Sequence, residues 1–362
     1  MISGGGTGGH IFPAIAIANG LKASLNDVNI LFVGAKGKME MEKVPQAGYP
    51  IEGLWISGLQ RKLDRKNLAF PFKLISSLKG ASGIIKKFKP DVAIGTGGYA
   101  SGPLLYMASR KRIPTLILEQ NSYPGITNKL LGNTVNKICV AYEGMEKYFP
   151  KQKITITGSP IRKEILNLKP THGEGLTYFG LKTSKPTLLI IGGSQGAHQI
   201  NLAIAKHIDD ILNDQIQMIW QTGKFSFEMA KKASAESKYS KQIKVVDFIS
   251  KMDMAYAAAD LVISRAGAIA IAEIVAVKKP SIFIPLPSAA EDHQTKNALT
   301  LVKGHAALMV KENELDEKLP DTIRKMIASK QERLIMLQNL KRFEHPDATS
   351  AIVEQIIKLM NT

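Results

Sequence analysis

A histidine directly follows a glycine-rich segment near the start of the chain, where Gly4 to His10 read GGGTGGH. Glycines let backbone N–H groups approach an anion closely, and Pro13 suits the first turn of a helix. Because a helix N-terminus carries partial positive charge, the segment predicts a phosphate-binding loop. At the entrance of that helix, His10 is placed either to take a proton from a hydroxyl or only to pack against the loop.

The spacing of Gly4, Gly6 and Gly9 also matches the fingerprint of dinucleotide-binding proteins. A dinucleotide site needs an acidic residue after the second strand, where the carboxylate binds a ribose hydroxyl. The second strand is predicted at Ile30–Gly34, and the residues that follow it, 35–38, read AKGK. This basic sequence argues against a nicotinamide coenzyme and leaves the identity of the bound phosphate open.

Two further glycine-rich loops follow predicted strands, at Gly95–Tyr99 and at Gly192–Gly196. In open parallel sheets, ligands bind beyond the carboxyl ends of the strands. A single glycine loop is often only a tight turn, whereas three loops at equivalent positions favour an anionic ligand. We expect that ligand in a cleft between two domains.

Polar groups in the second half of the chain also follow predicted strands. The carboxylate of Glu273, in an otherwise apolar helical segment, suits a ribose diol, and a solvated helix residue is the alternative. Residues 291–297, EDHQTKN, offer hydrogen bonds to a sugar or cap a helix. Asp292 and His293 have no third ligand nearby in the sequence, so we expect no metal. A diphosphate would then be neutralised by loop amides, a helix dipole and a cation such as Arg162.

Short apolar runs alternate with helical patterns, which predicts parallel sheets in two doubly wound α/β domains of the Rossmann type. The predicted strands are Ile30–Gly34, Val92–Thr96, Thr115–Glu119, Ile138–Ala141, Ile154–Thr157, Thr187–Ile191, Met218–Gln221, Lys244–Val246, Leu261–Ser264, Ser281–Pro285 and Ala307–Val310. Residues 157–160, TGSP, separate the two sets and predict a hinge. We therefore expect domains at residues 1–160 and 161–345.

The two ends of the chain carry separate predictions. Only three residues precede the first glycine loop, whereas a buried strand needs about five, so we expect the start to omit part of the first strand. Helices are predicted at Pro320–Ala328, Lys330–Arg342 and Thr349–Met360. In residues 346–362, the last helix carries an apolar stripe that we expect to pack on a core; its members are Ile352, Ile356, Ile357 and Met360.

Composition narrows the class of protein. The chain has 362 residues, 44% of them hydrophobic, and a single cysteine, Cys139, which excludes an internal disulfide and fits a reducing compartment. We find neither a signal peptide nor an apolar run near the ~20 residues of a membrane span, and expect a cytoplasmic protein. Residues 1–160 hold 21 Lys and Arg against 9 Asp and Glu, so most of the net charge of +17 lies in the first half.

The basic residues are densest between Leu59 and Lys89, where nine cations accompany one acid, Asp64. Apolar residues are interleaved with them: Ile56, Leu59, Leu63, Leu68, Phe70, Phe72 and Leu74. Such a surface suits an anionic membrane or a nucleic acid, and an ordinary solvated helix face is the alternative. No recognition motif supports nucleic-acid binding, so we expect the membrane.

Taken together, the motifs resemble the MurG family of N-acetylglucosaminyltransferases, which convert lipid I to lipid II in peptidoglycan synthesis. The resemblance spans nearly the whole chain and rests on residues 4–10 (GGGTGGH), 96–103 (TGGYASGP), 119–121 (EQN), 158–162 (GSPIR), 192–197 (GGSQGA), 264–268 (SRAGA) and 292–298 (DHQTKNA). It implies a GT-B fold, in which two domains face each other across a cleft. The first domain would bind the lipid acceptor, the second would hold UDP-N-acetylglucosamine, and residues 346–362 would return to the first.

The resemblance also implies roles for individual residues. Contacts to the donor are implied for Thr7, Gly8, Gly9, Asn121, Arg162, Ser194, Ile249, Met252, Ile269, Glu273 and Gln294. Within this set, Glu273 would bind the ribose, the Ile249 backbone the uracil, Ser194 and Arg162 the diphosphate, Asn121 and Gln294 the sugar hydroxyls, and Met252 and Ile269 would wall the nucleotide pocket. Contacts to the acceptor are implied for Gly5, Gly6, Thr7, His10, Gly97, Gly98 and Tyr99.

The implied reaction is an inverting displacement without metal or other cofactor, with His10 as the hypothetical base. Its partners would be UDP-N-acetylglucosamine, lipid I and the anionic cytoplasmic face of the membrane, with no nucleic acid. The first loop would bind the lipid diphosphate and Gly192–Gly196 the nucleotide diphosphate. Ala270 departs from the pattern, because some members have threonine there and could contact the donor. Another GT-B enzyme, acting on diacylglycerol, and a nucleic-acid-binding protein remain the alternatives.

Overall fold

The computed structural model describes residues 1–58, 69–193, 196–212 and 215–361. Its contacts divide the chain into two units, which we call unit 1 (Met1–Ile161 and His345–Thr362) and unit 2 (Arg162–Glu344). Each unit is an α/β structure built on one parallel sheet, which confirms the predicted fold class.

Unit 1 contains a seven-stranded sheet in the order β3-β2-β1-β4-β5-β6-β7. Its strands are β1 (Ile2–Gly4), β2 (Phe32–Ala35), β3 (Ile51–Leu54), β4 (Ala93–Gly97), β5 (Thr115–Glu119), β6 (Lys137–Val140) and β7 (Ile154–Ile156). Its helices are α1 (Gly8–Ser24), α2 (Glu40–Gln46), α3 (Phe70–Phe88), α4 (Ser101–Arg110), α5 (Ile126–Leu131) and, at the end of the chain, α16 (Ala348–Met360).

Helices cover both faces of this sheet because its strands are buried and apolar on both sides. On one face, α1 and α16 pack together through residues that include Ile17, Ile352 and Ile356. Gly20 permits this close packing, because a Cβ there would lie 2.7 Å from Thr349 Cγ2. On the other face, α3, α4 and α5 contribute buried side chains. Of the stripe predicted on the last helix, Ile352 and Ile356 are fully buried, whereas Met360 is exposed.

Two strands of unit 1 differ from the sequence analysis. The central strand β1 has only three residues, yet it pairs with β2 on one side and β4 on the other. The edge strand β3 was not predicted, because its sequence IEGL is only partly buried and contains Glu52 and Gly53. Strands overlap all five runs that were predicted in this half of the chain.

Unit 2 contains a six-stranded sheet in the order β10-β9-β8-β11-β12-β13. Its strands are β8 (Thr187–Ile191), β9 (Gln217–Gln221), β10 (Ile243–Val246), β11 (Leu261–Ser264), β12 (Ser281–Phe283) and β13 (Leu308–Met309). Its helices are α6 (Lys163–Leu166), α7 (His172–Phe179), α8 (His198–Lys206), α9 (Ile208–Ile211), α10 (Phe227–Glu236), α11 (Met252–Ala258), α12 (Ala268–Ala276), α13 (His293–Lys303), α14 (Leu315–Ala328) and α15 (Lys330–Leu340). All six strands overlap predicted runs.

The strand order places the glycine loops at equivalent points of the two sheets. In unit 1 the order reverses at β1, which lies between β2 and β4, and in unit 2 it reverses at β8, which lies between β9 and β11. Ligands of doubly wound proteins bind beyond the carboxyl ends of the strands at such a reversal. The loops after β1 and β4 are therefore neighbours in unit 1, and those after β8 and β11 are neighbours in unit 2.

Candidate functional site

The first two glycine loops interlock in unit 1 because the strands that precede them are paired. The Gly5 N–H donates to the Gly97 carbonyl at 3.3 Å, and Ser101 Oγ donates to the Ser3 carbonyl at 3.0 Å. Gly98 has a φ of +91°, and a Cβ there would lie 2.4 Å from the Gly5 carbonyl oxygen. Only glycine fits at this contact, so the structure brings together Gly5 and Gly98, two of the residues predicted to bind the acceptor.

His10 is held to the second loop by two hydrogen bonds. Its Nδ1 lies 2.8 Å from the Thr96 carbonyl oxygen, and Thr96 Oγ1 donates to the His10 carbonyl at 2.7 Å. Because a carbonyl oxygen only accepts, Nδ1 must carry the proton, and Nε2 of the neutral ring is left as the acceptor. Gly97 makes room for the ring, since a Cβ there would lie 2.5 Å from Nδ1.

The surroundings of His10 keep its imidazole neutral. Burial lowers the pKa of His10 below its ordinary value, whereas the hydrogen bond to the Thr96 carbonyl and the charge of Glu40 act in the opposite direction. Among the described residues, the ring of His10 is held through Nδ1, and a neutral imidazole with Nε2 left as acceptor can take a proton. The geometry therefore favours the general-base hypothesis for His10 over a purely structural role.

The N-terminus of α1 is suited to an anion. Thr7 is the N-cap, yet its side chain makes no capping hydrogen bond, and the first turn contains no acidic residue. Gly6 and Thr7 are exposed, and Gly8 and Gly9 are partly exposed. Backbone N–H groups and the positive end of the helix dipole can therefore reach a phosphate at this loop.

A buried carboxylate organises the segment after β5. Glu119 Oε1 accepts from the backbone and side-chain N–H groups of Asn121, both at 3.0 Å, and Oε2 accepts from Gly125 and Asn128. Burial raises the pKa of Glu119, and these N–H donors oppose that rise. Glu119 thus fixes Asn121, which was predicted to contact a sugar. The neighbouring Gln120 donates through Nε2 to the Thr96 carbonyl at 2.8 Å, beside His10.

Tyr99 stands at the end of the second loop with its side chain 47% exposed. It packs over Gly58, where a Cβ would lie 2.1 Å from Tyr99 Cζ. The side chain thus lies at the surface, where a ligand can contact it, and its predicted acceptor role stays a prediction.

The third glycine loop follows β8 in unit 2, and the structure describes its Gly192, Gly193 and Gly196. Gly193 and Gly196 have φ values of +80° and +78°, and a Cβ on Gly196 would lie 2.2 Å from the Thr222 carbonyl oxygen. Gln221 Nε2 donates to the Gly193 carbonyl at 2.9 Å. The N-cap of α8, Ala197, offers no side-chain cap, so this helix can also receive an anion. Ser194, predicted to contact a diphosphate, lies outside the described residues.

Two predicted donor-binding residues pair with each other in unit 2. Arg162 Nε donates to Glu273 Oε1 at 2.8 Å, and its NH2 group donates to Oε2 at 3.0 Å. Tyr256 donates its hydroxyl to Oε2 at 3.2 Å. Burial, together with the charge of Glu273, raises the pKa of Tyr256, so the hydroxyl stays protonated. Glu273 is therefore a held, buried carboxylate and not the solvated helix residue that was the alternative.

The apolar residues predicted around the nucleotide lie at the same end of unit 2. Ile249 and Met252 are buried, and Met252 begins α11, the helix that carries Tyr256. Ile269 is partly exposed near the start of α12, followed by Ala270, whose methyl group offers no hydrogen bond. Their roles toward a nucleotide stay predictions.

The loop before α13 has an unusual backbone. Glu291 and Asp292 both have φ values of +53°, in the left-handed region that favours glycine. Asp292 is the N-cap but makes no capping bond to the backbone, and it accepts from Thr295 Oγ1 at 2.7 Å. Gln294 accepts the Leu286 N–H at 3.0 Å. Backbone strain of this kind often accompanies binding loops, which favours the ligand hypothesis over simple capping.

The described part of the basic stretch forms α3. Phe72 is 70% exposed, and Lys73 Nζ lies 5.8 Å from the ring centroid of Trp55, which is also exposed. Ile56 is buried, contrary to its predicted place on a membrane surface, because it packs in the core beneath α3. Leu59, Leu63 and Leu68 lie outside the described residues. None of the described helices has the length and hydropathy needed to cross a membrane.

Several contributors to these sites were missed in the sequence analysis. They are Glu40, Gln120, Gln221 and Tyr256, together with the hydrogen bonds of Thr96 to His10. Each acts through a partner far away in the sequence, and local residue spacing gives no signal for such pairs.

Comparison with known protein families identifies an N-terminal and a C-terminal domain of one family. Residues 1–140 match the glycosyltransferase family 28 N-terminal domain, and residues 187–352 match the glycosyltransferase family 28 C-terminal domain. The first match contains the interlocked loops with His10, and the second contains Glu273 and the loop after β8.

Two relatives that match the whole chain carry the same name. The chain is 52% identical over 362 residues to a Flavobacterium psychrophilum protein named "UDP-N-acetylglucosamine--N-acetylmuramyl-(pentapeptide) pyrophosphoryl-undecaprenol N-acetylglucosamine transferase", covering 100% of this chain and 98% of the relative. A Cytophaga hutchinsonii protein of the same name is also 52% identical over 362 residues, covering 100% and 97%.

Two solved structures match nearly the whole chain in fold. The crystal structure of MurG from Acinetobacter baumannii superposes with a TM-score of 0.78 at 28% identity, covering 99% of this chain and 98% of that one. The glycosyltransferase of kitacinnamycin has a TM-score of 0.71 at 12% identity, with coverage of 99% and 98%, and shows likeness of fold alone.

Proposed function

The chain belongs to glycosyltransferase family 28, and we propose on that basis that it is a UDP-N-acetylglucosamine-dependent hexosyltransferase of lipid II synthesis. It transfers N-acetylglucosamine to the 4-hydroxyl of the N-acetylmuramoyl-pentapeptide unit of lipid I. The observation that supports this proposal most strongly is the 52% identity over all 362 residues to relatives named for this transfer. The predicted GT-B fold and membership of the MurG family are confirmed.

We assign the acceptor to unit 1. The exposed N–H groups at the start of α1 would bind the diphosphate of the lipid, and Tyr99 would contact the acceptor beside them. The support is a helix N-terminus that has no side-chain cap and no acidic residue in its first turn, next to a histidine whose Nδ1 is bound to Thr96 so that Nε2 is the acceptor. In this assignment the 4-hydroxyl gives its proton to His10 Nε2 as its oxygen attacks.

We assign the donor to unit 2. Glu273 would accept a hydrogen bond from the ribose diol through Oε1, which keeps a second lone pair beside the one that Arg162 uses, whereas Oε2 already accepts from both Arg162 and Tyr256. Arg162 and the N-terminus of α8 would bind the diphosphate. The support is the pairing of Arg162 with Glu273: the residue that would bind the diphosphate contacts the residue that would bind the ribose.

The chemical step is then one displacement. The acceptor oxygen forms a bond to the anomeric carbon of N-acetylglucosamine, the bond from that carbon to the diphosphate oxygen breaks, and UDP leaves with the electron pair. Attack opposite to the leaving group inverts the anomeric configuration. Fixed N–H dipoles and Arg162 would stabilise the charge that develops on the diphosphate, which is the kind of preorganised electrostatics that dominates in many enzymes.

Mass spectrometry tests the reaction itself. The chain is incubated with UDP-N-acetylglucosamine and a short-chain lipid I analogue, and in parallel with diacylglycerol. We expect a product from the lipid I analogue that is heavier by one N-acetylhexosamine. A product formed from diacylglycerol alone would instead identify the related GT-B enzyme and overturn the proposal.

We further propose that unit 1 rests on the anionic cytoplasmic face of the membrane as a peripheral protein. Exposed Phe72 and Trp55 lie beside Lys73, and α3 ends with Lys86 and Lys87. Cations near an anionic surface contribute ~1 kcal/mol each, so a few of them suffice for reversible attachment.

Vesicle sedimentation tests this attachment. Phe72→Ser should weaken binding to anionic vesicles, whereas Phe225→Ser, at an exposed phenylalanine of unit 2, should leave binding unchanged. Equal binding to neutral and anionic vesicles would remove the proposal. The same vesicles with competing RNA decide whether the basic charge serves a nucleic acid instead.

A further inference from the structure

A buried glutamate that the mechanism above does not use lies against the first glycine loop. Glu40 begins α2 and is 1% exposed. Its Oε2 accepts the Gly6 N–H at 2.8 Å, and its Oε1 accepts the Ala35 N–H, at the end of β2, at 3.0 Å. The carboxylate therefore joins the loop after β1 to the end of the neighbouring strand.

Two glycines make room for this side chain. A Cβ on Gly5 would lie 2.1 Å from Glu40 Oε1, and a Cβ on Gly34 would lie 2.6 Å from Glu40 Cγ. Taking a carboxylate out of water is costly unless its oxygens receive hydrogen bonds. The N–H groups of Gly6 and Ala35 supply these hydrogen bonds, so the fold provides a specific site for one acidic side chain. The geometry of the first glycine loop depends on that side chain.

We infer that Glu40 is a positioning residue: it holds the Gly6 peptide so that the following loop residues face the acceptor, and it supplies a negative charge that compensates the imidazolium of His10. The inference rests on the proposed function, because it assigns Glu40 to the acceptor loop of that reaction. By occupying the Gly6 N–H, Glu40 leaves the N–H groups at the start of α1 for the lipid diphosphate.

Among the described elements around His10, Glu40 is the charged group that acts on the ring. Strands β1 and β4 and the loop after β4 contribute uncharged residues. The other charged groups on the neighbouring elements have partners of their own or lie at the far end of α1. Glu42 pairs with Lys43 on α2, and Glu354 pairs with Lys358 on α16. Glu119 accepts hydrogen bonds from Asn121, Gly125 and Asn128, and Lys22 lies in the last turn of α1. The charge of Glu40 raises the pKa of His10 against the larger effect of burial.

The test compares Glu40→Gln with Glu42→Gln, an exposed glutamate two residues along the same helix. Glutamine keeps the shape of the side chain but removes its charge and turns an NH2 group toward one N–H donor. The pKa of His10 is measured by NMR of the full chain labelled at the histidine Cε1 atoms, with His10→Asn to assign the signal. The dependence of kcat/KM on pH is measured in parallel.

For Glu40→Gln we expect a lower His10 pKa, an acid limb of kcat/KM displaced to lower pH, and a fall in kcat/KM of about 10- to 100-fold. For Glu42→Gln we expect wild-type values throughout. A purely structural glutamate would lower kcat/KM without moving either the NMR titration or the acid limb. An unchanged His10 pKa in Glu40→Gln therefore overturns the electrostatic part of the inference.

A second variant keeps the inference testable if Glu40→Gln does not fold. Glu40→Asp retains the charge but is one methylene shorter, so it can reach only one of the two N–H groups. We expect it to lower kcat/KM about 10-fold with the acid limb in place. Wild-type kcat/KM in Glu40→Asp would show that the loop need not be held. The NMR titration uses the protein without substrates, so it stands even if the wild-type chain transfers no N-acetylglucosamine to lipid I.

Discussion

Replacing Gly97 with alanine tests how closely the reaction depends on the position of His10. Gly97 has a φ of +106°, and a Cβ there would lie 2.5 Å from His10 Nδ1, whereas ordinary contacts begin at 3.4 Å. The imidazole must therefore move by about 1 Å, which breaks its hydrogen bond to Thr96. Misplacing a catalytic group by that distance costs about 100-fold in rate.

Backbone strain must be separated from this displacement. Any L-residue at such a φ costs roughly 1–2 kcal/mol of stability. Gly48→Ala supplies the matched control, because Gly48 has a φ of +82° and nothing lies within 4 Å of its Cβ position. Both variants should lose stability in thermal unfolding, Gly97→Ala more than Gly48→Ala because it also breaks the hydrogen bond between His10 and Thr96, while only Gly97→Ala should lose activity.

The assay follows release of UDP at saturating donor and lipid I analogue, so that kcat is measured apart from binding. We expect kcat of Gly97→Ala to lie about 100-fold below that of Gly48→Ala. If the two variants differ in kcat by less than threefold, the position of His10 beside Gly97 does not govern the chemical step.

Four further predictions concern single groups. His10→Ala should lower kcat by about 10²- to 10⁴-fold, and near-normal turnover would place the base elsewhere. Because burial lowers the pKa of His10 and the base must be neutral, wild-type kcat/KM should fall with decreasing pH only below the ordinary histidine value of about 6.5; a midpoint above it would contradict the assignment. Arg162→Met should raise the KM for UDP-N-acetylglucosamine about 10-fold or more, while Lys163→Met, the exposed neighbour, should leave it unchanged. Tyr256→Phe should cost about 0.5–1.5 kcal/mol in denaturant unfolding and raise the same KM, and an unaltered KM would show that Tyr256 does not support the ribose site.

The sheets were predictable because buried parallel strands leave continuous apolar runs in the sequence. Thr187–Ile191 and Thr115–Glu119, for example, are fully buried strands and were predicted with the same bounds. The edge strand β3 escaped because Glu52 and Gly53 interrupt its short apolar pattern. Its position is decided by pairing with β2, and the sequence of β3 alone carries little of that information.

The candidate site was predictable in its residues more than in its connections. The glycine loops and His10 stand out as local motifs, and Glu273 stands out as a charge in an apolar helix. The hydrogen bond between His10 and Thr96 joins residues 86 positions apart and exists because β1 and β4 are neighbours. Glu40 lies two residues beyond the basic segment 35–38, and its hydrogen bond to Gly6 joins residues 34 positions apart, so local spacing carries no signal for it.

The linkage in the product tests the central claim most directly. The account predicts that this chain, given UDP-N-acetylglucosamine and a lipid I analogue, forms a disaccharide joined through the 4-hydroxyl of the muramoyl unit with inverted anomeric configuration. Because the donor is an α-glycoside, NMR of the product should show a β linkage at that oxygen. An α linkage, attachment at another hydroxyl, or no product with the wild-type chain would contradict the account.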